Sequence, residues 1–241
     1  MAQQKSGIIV HNIFILCWTV IGCCITVFLI VLTRILFHRL PRIIARLWLR
    51  SLITITGIKI TVHHIERLNP KCQYIFLANH SSLLDIPALA SSLKHHLSFI
   101  AKRELFMIPI FGWGMAGAGH IWIDRRNPRK ARSSILRAVR ILRREHISLV
   151  LFPEGTRTEN GLLGPFKRGS FSLALEAGVP IVPVAIKGLF EILPKRRALV
   201  IPGPVDIYIG EPISTEGLGV KDKKELSETV RRRIAEMLGQ G

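Results

Sequence analysis

Between Ser6 and Thr33 the chain carries no charged side chain, counting His as neutral, and Ile, Leu, Val, Phe and Cys dominate. A helix needs roughly 20 apolar residues to cross a hydrocarbon core, and this run is longer than that. The segment is therefore predicted to anchor the chain in a membrane. A buried core helix is one alternative and a cleaved signal peptide another. The signal peptide fits poorly, because its apolar region would be only about 7–15 residues long and would end in an A-x-A-like site, which is not found here.

Downstream, Arg39, Arg42, Arg46 and Arg50 share one arc of a helical wheel. Leu36, Leu40, Ile43, Ile44, Leu47 and Trp48 fill the neighbouring arc. This pattern predicts an amphipathic helix with a basic face, suited to the lipid headgroup layer or to packing on a domain. Residues 1–52 are accordingly expected to form the anchoring unit and residues 53–241 one further domain.

The net charge is +18, and Arg125 to Arg144 includes nine Lys or Arg and no acid. Beside a membrane anchor, such a patch points to anionic membrane lipid or an acidic carrier protein rather than to nucleic acid. Cations abound after Thr33, whereas only Lys5 precedes the apolar run. The positive-inside rule then places the body at the cytoplasmic face of an inner membrane. Cys17, Cys23 and Cys24 lie within the apolar run and Cys72 stands apart, so no disulfide framework or metal-binding spacing results.

Short apolar runs predict strands over 53–63 (broken at Gly57), 73–78, 97–101, 120–124, 148–152, 198–201 and 205–209. Helices are predicted over 82–93, with Ser81 or Ser82 as N-cap, and over 129–145, 171–177 and 223–238. Val179–Ile186 contains two prolines, which suggests an edge strand or a bulge. The alternation predicts an α/β fold: a mixed, mostly parallel sheet flanked by helices, after the N-terminal membrane-anchoring helical segment.

Two motifs sit at predicted strand ends, where such sheets place reactive groups. The first is Asn79-His80-Ser81-Ser82-Leu83-Leu84-Asp85. A neutral imidazole can take a proton, and a carboxylate on its other nitrogen fixes the tautomer. Five residues on a continuous helix would separate the two side chains by about 140°. The pair therefore requires His80 in the loop, with Asp85 in the first turn facing back. A surface His with a capping Asp is the bland alternative. The second motif is Phe152-Pro153-Glu154-Gly155-Thr156-Arg157. Here Gly155 permits a sharp turn with N–H groups left open, and Arg157 suits a phosphate. Glu154 could hold Arg157 or accept from a substrate hydroxyl. A turn with a solvated ion pair is the alternative here. Lys102 and Arg125 are candidates for a second phosphate ligand. No metal site is expected.

In their order these blocks resemble the glycerolipid acyltransferases that act on lysophosphatidic acid, in particular the bacterial type. N-H-x-x-x-x-D is matched by Asn79, His80 and Asp85, and G-x-x-x-x-x-R by Gly119 and Arg125. F-P-E-G-T-R is matched throughout, V-P-I-V-P-V runs from Val179 to Val184, and F-K-x-G is present as Phe166, Lys167 and Gly169. The resemblance implies acyl transfer from acyl-CoA or acyl carrier protein to the sn-2 hydroxyl of lysophosphatidic acid, with no further cofactor. It implies His80 as base, Asp85 as its orienting carboxylate, and Arg125, Arg157 and Lys102 on the phosphate. Glu154, Gly155 and Thr156 would then position substrate or its oxyanion. A different acceptor (glycerol 3-phosphate, another lysophospholipid or a lyso-ornithine lipid) and a non-catalytic membrane-binding role are the alternatives.

Overall fold

The computed structural model describes residues 2–37, 39–124 and 128–241. It opens with two helices, α1 (Ala2–Arg34) and α2 (Leu40–Ile55), followed by β1 (Lys59–His63), β2 (Ile75–Ala78), α3 (Asp85–Ser92) and β3 (Leu97–Lys102). Next come α4 (Arg103–Phe106), α5 (Phe111–Gly117), β4 (Ile121–Ile123), α6 (Pro128–Glu145) and β5 (Ser148–Leu151). The chain ends with α7 (Gly169–Ala177), β6 (Ile181–Lys187), α8 (Leu189–Ile192), β7 (Pro204–Ile209) and α9 (Lys223–Leu238).

The strands form one sheet in the order β1-β7-β6-β2-β5-β3-β4. Every neighbouring pair is parallel except β6 with β7. The fold is thus the mixed, mostly parallel sheet between helices that the sequence pattern predicts. Strands covered on both faces must be apolar at successive positions. In β2, Ile75, Phe76, Leu77 and Ala78 are all fully buried. Strand alternation sends Phe76 and Ala78 into one core with Ile53 and Leu89. Ile75 and Leu77 enter the other, with Leu142 and Phe171. Truncating Phe76 to Ala would cost about 3–5 kcal/mol.

The central strands also set the site. From β2 the chain leaves through α3 toward β3, and from the adjacent β5 it leaves through α7 toward β6, on the other side of β2. Open α/β sheets hold their crevice outside the carboxyl ends of strands at such a reversal.

Several local expectations are corrected. No strand begins at Ile53, because α2 runs through Ile55 and β1 starts at Lys59. Leu52 and Ile53 continue the buried stripe of α2, so packing overrides the β-branched composition. The helix ends at a turn in which Gly57 has φ +69°. Residues 198–201 form no strand. There the backbone of Val200 exchanges two hydrogen bonds with the Asn12 amide, at 3.1 and 2.7 Å. The proline-rich β6 lies inside the sheet, not at an edge. Pro183 fits because its carbonyl accepts from Gly210 N–H at 2.8 Å, while the β7 ladder begins only at Val184. Its missing N–H therefore falls in a gap of the ladder.

Helix α1 lies against the domain along much of its length. Near its start Asn12 binds Val200, and at its end the Arg34 guanidinium donates to Ala116 O at 2.7 Å. A Cβ on Gly114 or Gly117 of α5 would come within 2.5 Å of Val27 or 2.3 Å of Ile30. Only glycine lets these helices approach so closely. In its most apolar 18-residue stretch 17% is buried, which excludes the core-helix reading. The basic arc of α2 is turned partly inward. Arg42 pairs with Glu145 of α6 at 2.7 Å, and Arg46 donates to the carbonyls of Leu93 and Lys94. Ile43 and Leu47 are the large apolar residues of α2 left outside, 49% and 60% exposed, and Arg50 is exposed beside them.

Candidate active site

His80 and Asp85 meet as the spacing requires. His80 stands in the loop after β2, and its Nδ1 lies 2.7 Å from Asp85 Oδ2. Asp85 is fully buried and opens α3. Its Oδ2 also accepts the N–H groups of Ser81 and Ser82, at 2.8 and 2.9 Å. The carboxylate therefore ties down the loop before its own helix, and α3 begins at Asp85, three residues later than the sequence pattern suggests. Ser81 and Ser82 are not the cap. Instead the Ser82 hydroxyl donates to Leu193 O and accepts from Leu84 N–H. With Asp85 accepting the hydrogen bond from Nδ1–H, Nε2 is left as the ring nitrogen that can accept a proton.

The surroundings hold His80 rigidly. Asn79 bonds both backbone groups of Ile186 through its side-chain amide, at 2.9 and 2.7 Å, and so extends the pairing of β2 with β6 by one step. The imidazole stacks on Phe152, with centroids 4.1 Å apart and rings inclined by 16°. Glu154 accepts the His80 N–H at 2.7 Å with one oxygen and the Gly164 N–H at 2.9 Å with the other. Burial pushes the Glu154 carboxyl above the ordinary range, against the pull of those two N–H groups. This replaces the expected pairing with Arg157 or with a substrate hydroxyl. Glu154 joins the two motif loops to each other.

Gly155 has φ +74° and makes the turn that only glycine adopts readily. Its N–H, expected to be open, donates to Phe152 O at 3.0 Å. Lys167 contributes through its backbone, donating to Pro153 O at 2.8 Å, while its side chain is exposed. Arg125 lies outside the described residues.

A cavity of about 640 Å³ brings the remaining groups together. His80, Gly155, Thr156 and Arg157 line it, with Lys102 at the end of β3 and Lys195 after α8. Its other walls are apolar and come largely from the N-terminal helices and α5: Val27, Ile30, Trp48, Leu49 and Phe111 among them. His120 also lines it. Burial, with Arg42 nearby, lowers the imidazole to about 4, so it is neutral at physiological pH. Lys195 has no motif to announce it. The only sequence signal is its place in the basic run Lys195-Arg196-Arg197. Lys195 and Arg196 both pair with Glu159.

A site of this kind offers an imidazole that can accept a proton, cations that can meet an anion, and an apolar chamber beside them. The family model described as Acyltransferase matches residues 59–187, which contain both motifs. The chain belongs to the acyltransferase family. It is 35% identical over 191 residues to 1-acyl-sn-glycerol-3-phosphate acyltransferase alpha of Ovis aries, covering 79% of this chain and 67% of that protein. It is 33% identical over 210 residues to a chloroplastic 1-acyl-sn-glycerol-3-phosphate acyltransferase of Brassica napus, covering 85% and 59%. The chain thus spans about three fifths to two thirds of these relatives' lengths. Its fold is shared with the crystal structure of the 1-acyl-sn-glycerophosphate (LPA) acyltransferase from Thermotoga maritima. That match has a TM-score of 0.78 and 24% identity, and covers 97% of both chains. The family resemblance read from the motifs is therefore correct.

Proposed function

We propose that this acyltransferase moves an acyl chain from a thioester donor, acyl-CoA or acyl carrier protein, to the sn-2 hydroxyl of 1-acylglycerol 3-phosphate, giving phosphatidic acid. The observation that carries this reading is the single cavity shared by His80, the cations Arg157, Lys102 and Lys195, and the apolar wall of α1 and α2. The relatives named for this reaction support the same acceptor.

On this reading His80 Nε2 removes the hydroxyl proton as the oxygen attacks the thioester carbonyl. Asp85 stabilises the imidazolium that forms. As the C–S bond breaks, the imidazolium returns the proton to the departing sulfur, giving a free thiol. The ester is made in one transfer, since the Ser81 hydroxyl donates to Asp85 Oδ1 at 3.4 Å and the Ser82 hydroxyl is held by Leu193 and Leu84, so neither is set up as a nucleophile. Arg157, Lys102 and Lys195 hold the phosphate, and orienting two bound substrates can recover roughly 7–11 kcal/mol of barrier. With the Gly155 N–H engaged, the N–H groups of Thr156 and Arg157 are the donors nearest to hand for the developing oxyanion.

The membrane placement is part of the proposal. Asn12 and Arg34, 22 residues apart on α1, both bond to the domain. That separation is about 33 Å of helix, close to the thickness of a hydrocarbon core of about 30 Å. A helix crossing the bilayer would pull the domain through it. We place α1 within one leaflet, with the division between an anchoring unit of residues 1–52 and a domain of residues 53–241 falling inside α2. Met107, Ile108, Ile110 and Trp113, 44–69% exposed beside α1, extend the same apolar face. The cationic surface then meets anionic lipid at the cytoplasmic face of the inner membrane, and no nucleic acid is involved.

An acceptor panel tests the function. Purified protein in lipid would be given lysophosphatidic acid, glycerol 3-phosphate or monoacylglycerol, each with both donors. Product from lysophosphatidic acid above the others supports the assignment. Equal use of monoacylglycerol would refute it.

A further inference from the structure

A second cavity, of about 400 Å³, opens beside α2 and shares with the first only the wall formed by Ala45, Leu49, Phe99, Ala118 and His120. Its own lining is cationic. Arg42, Arg46, Arg50, Lys94, His95 and His96 surround it, and no acid does so among the described residues. Arg42 is answered by Glu145, and Arg46 by the carbonyls that close α3. Arg50 and Lys94 have no acid partner among the described residues.

His95 is 8% exposed, packs edge-on against Tyr74 and Phe76, and bonds Asn69 O through Nε2 at 3.1 Å. His96 is held below the ordinary histidine range by burial and by the guanidinium groups of Arg42, Arg39 and Arg46. Positive charge is thus crowded here, and that of Arg50 and Lys94 has no acid partner among the described residues. The edge of the cavity is apolar, because Ile43 and Leu47, 49% and 60% exposed, lie beside Arg46 and Arg50 on the outer face of α2. A ligand matching this lining carries a phosphate for the cations and acyl chains for Ile43 and Leu47.

We propose that this cavity binds the phosphate headgroup of an anionic bilayer phospholipid such as phosphatidylglycerol, as a bound lipid separate from either substrate. Its phosphate lies among Arg50, Lys94 and Arg46, and its chains run along Ile43 and Leu47 into the leaflet that holds α1. The bound lipid fixes the depth and tilt of α2, one wall of the active-site cavity. The inference rests on the membrane placement given above, not on the identity of the acyl acceptor.

The test is flotation with vesicles of phosphatidylcholine alone or mixed with phosphatidylglycerol, comparing wild type with R50Q/K94Q. A control, K221Q/K224Q, removes two exposed cations at α9, which packs on the opposite face of the sheet. Each Lys or Arg near an anionic surface contributes about 1 kcal/mol, or roughly fivefold in affinity. R50Q/K94Q is therefore expected to bind the mixed vesicles about 25-fold more weakly, with unchanged binding to phosphatidylcholine and unchanged acyl transfer in neutral detergent micelles. The control pair should lose much less. Equal losses from both pairs would mean diffuse charge attraction and would overturn the proposal. So would displacement of wild type from the mixed vesicles by inorganic phosphate at constant ionic strength, which would mark a free-phosphate site. The vesicle measurement reads out even if no acyl transfer is found, so the two failures are distinguishable.

Discussion

Oδ2 of Asp85 holds three donors at once: His80 Nδ1 at 2.7 Å and the backbone N–H groups of Ser81 and Ser82 at 2.8 and 2.9 Å. One buried oxygen thus shapes the loop and fixes the imidazole within it. An amide at this position keeps the volume but cannot stabilise an imidazolium as a carboxylate does. Asp85→Asn is expected to lower kcat by about 10²–10⁴-fold, the usual weight of positioned base catalysis, and to change the acceptor KM little. Steady-state kinetics check this, and a change confined to KM would contradict it.

Lys195 and Arg157 line one cavity with His80 although 38 positions separate them in the chain. A hydrogen bond to a charged group contributes about 1.5–3 kcal/mol. Arg157→Ala and Lys195→Ala should each lower kcat/KM for lysophosphatidic acid by about 10–100-fold. Turnover of monoacylglycerol, which has no phosphate to lose, should scarcely change. Parallel losses on both acceptors would remove the phosphate role.

His120 is partly buried and lowered to about 4, from an ordinary value of 6.5. The folded protein therefore holds it neutral while the unfolded chain protonates first as pH drops below 6.5. Stability from this group is complete above that value and is lost as pH falls toward 4. The loss approaches about 3 kcal/mol. Thermal unfolding in detergent from pH 7 to pH 4 should show this dependence in wild type and a weaker one in His120→Gln. Equal slopes would contradict it.

Ala118 is 3% exposed and lines the apolar chamber near Ile30 and Met115. Ala118→Leu fills part of that space, and added core volume costs about 1–3 kcal/mol in its own right. The ratio between donors within the same variant removes that common term. Long-chain donors should lose more kcat/KM than short-chain donors. A uniform fall would place the acyl chain elsewhere.

Much of this site was legible because its chemistry depends on short spacings. His80 and Asp85 lie on one loop and the first turn of α3, and Phe152 to Arg157 follow a strand end, so local sequence carried both groups. The buried central strands were legible for the same reason: Ile75–Ala78 and Ser148–Leu151 must be apolar at nearly every position. What escaped depends on contacts distant in sequence. Lys195 reaches the cavity through a loop tied to Ser82 by the Leu193 carbonyl. Glu154 reads as a substrate or Arg157 partner until Gly164, ten residues on, is seen on its second oxygen. The run 198–201 looks like a strand until Asn12 takes its backbone bonds. The inward turn of Arg42 was equally hidden, since Glu145 lies 103 positions away.

The most direct test of the central claim compares wild type with His80→Ala, purified in lipid with labelled lysophosphatidic acid and an acyl-CoA or acyl carrier protein donor. The initial rate of phosphatidic acid formation is the readout. The account predicts product from wild type with at least one donor, and a rate about 10²–10⁴-fold lower from the variant. Phosphatidic acid formed equally fast by both proteins would contradict a His80 base, and no product from wild type with either donor would contradict the acceptor itself.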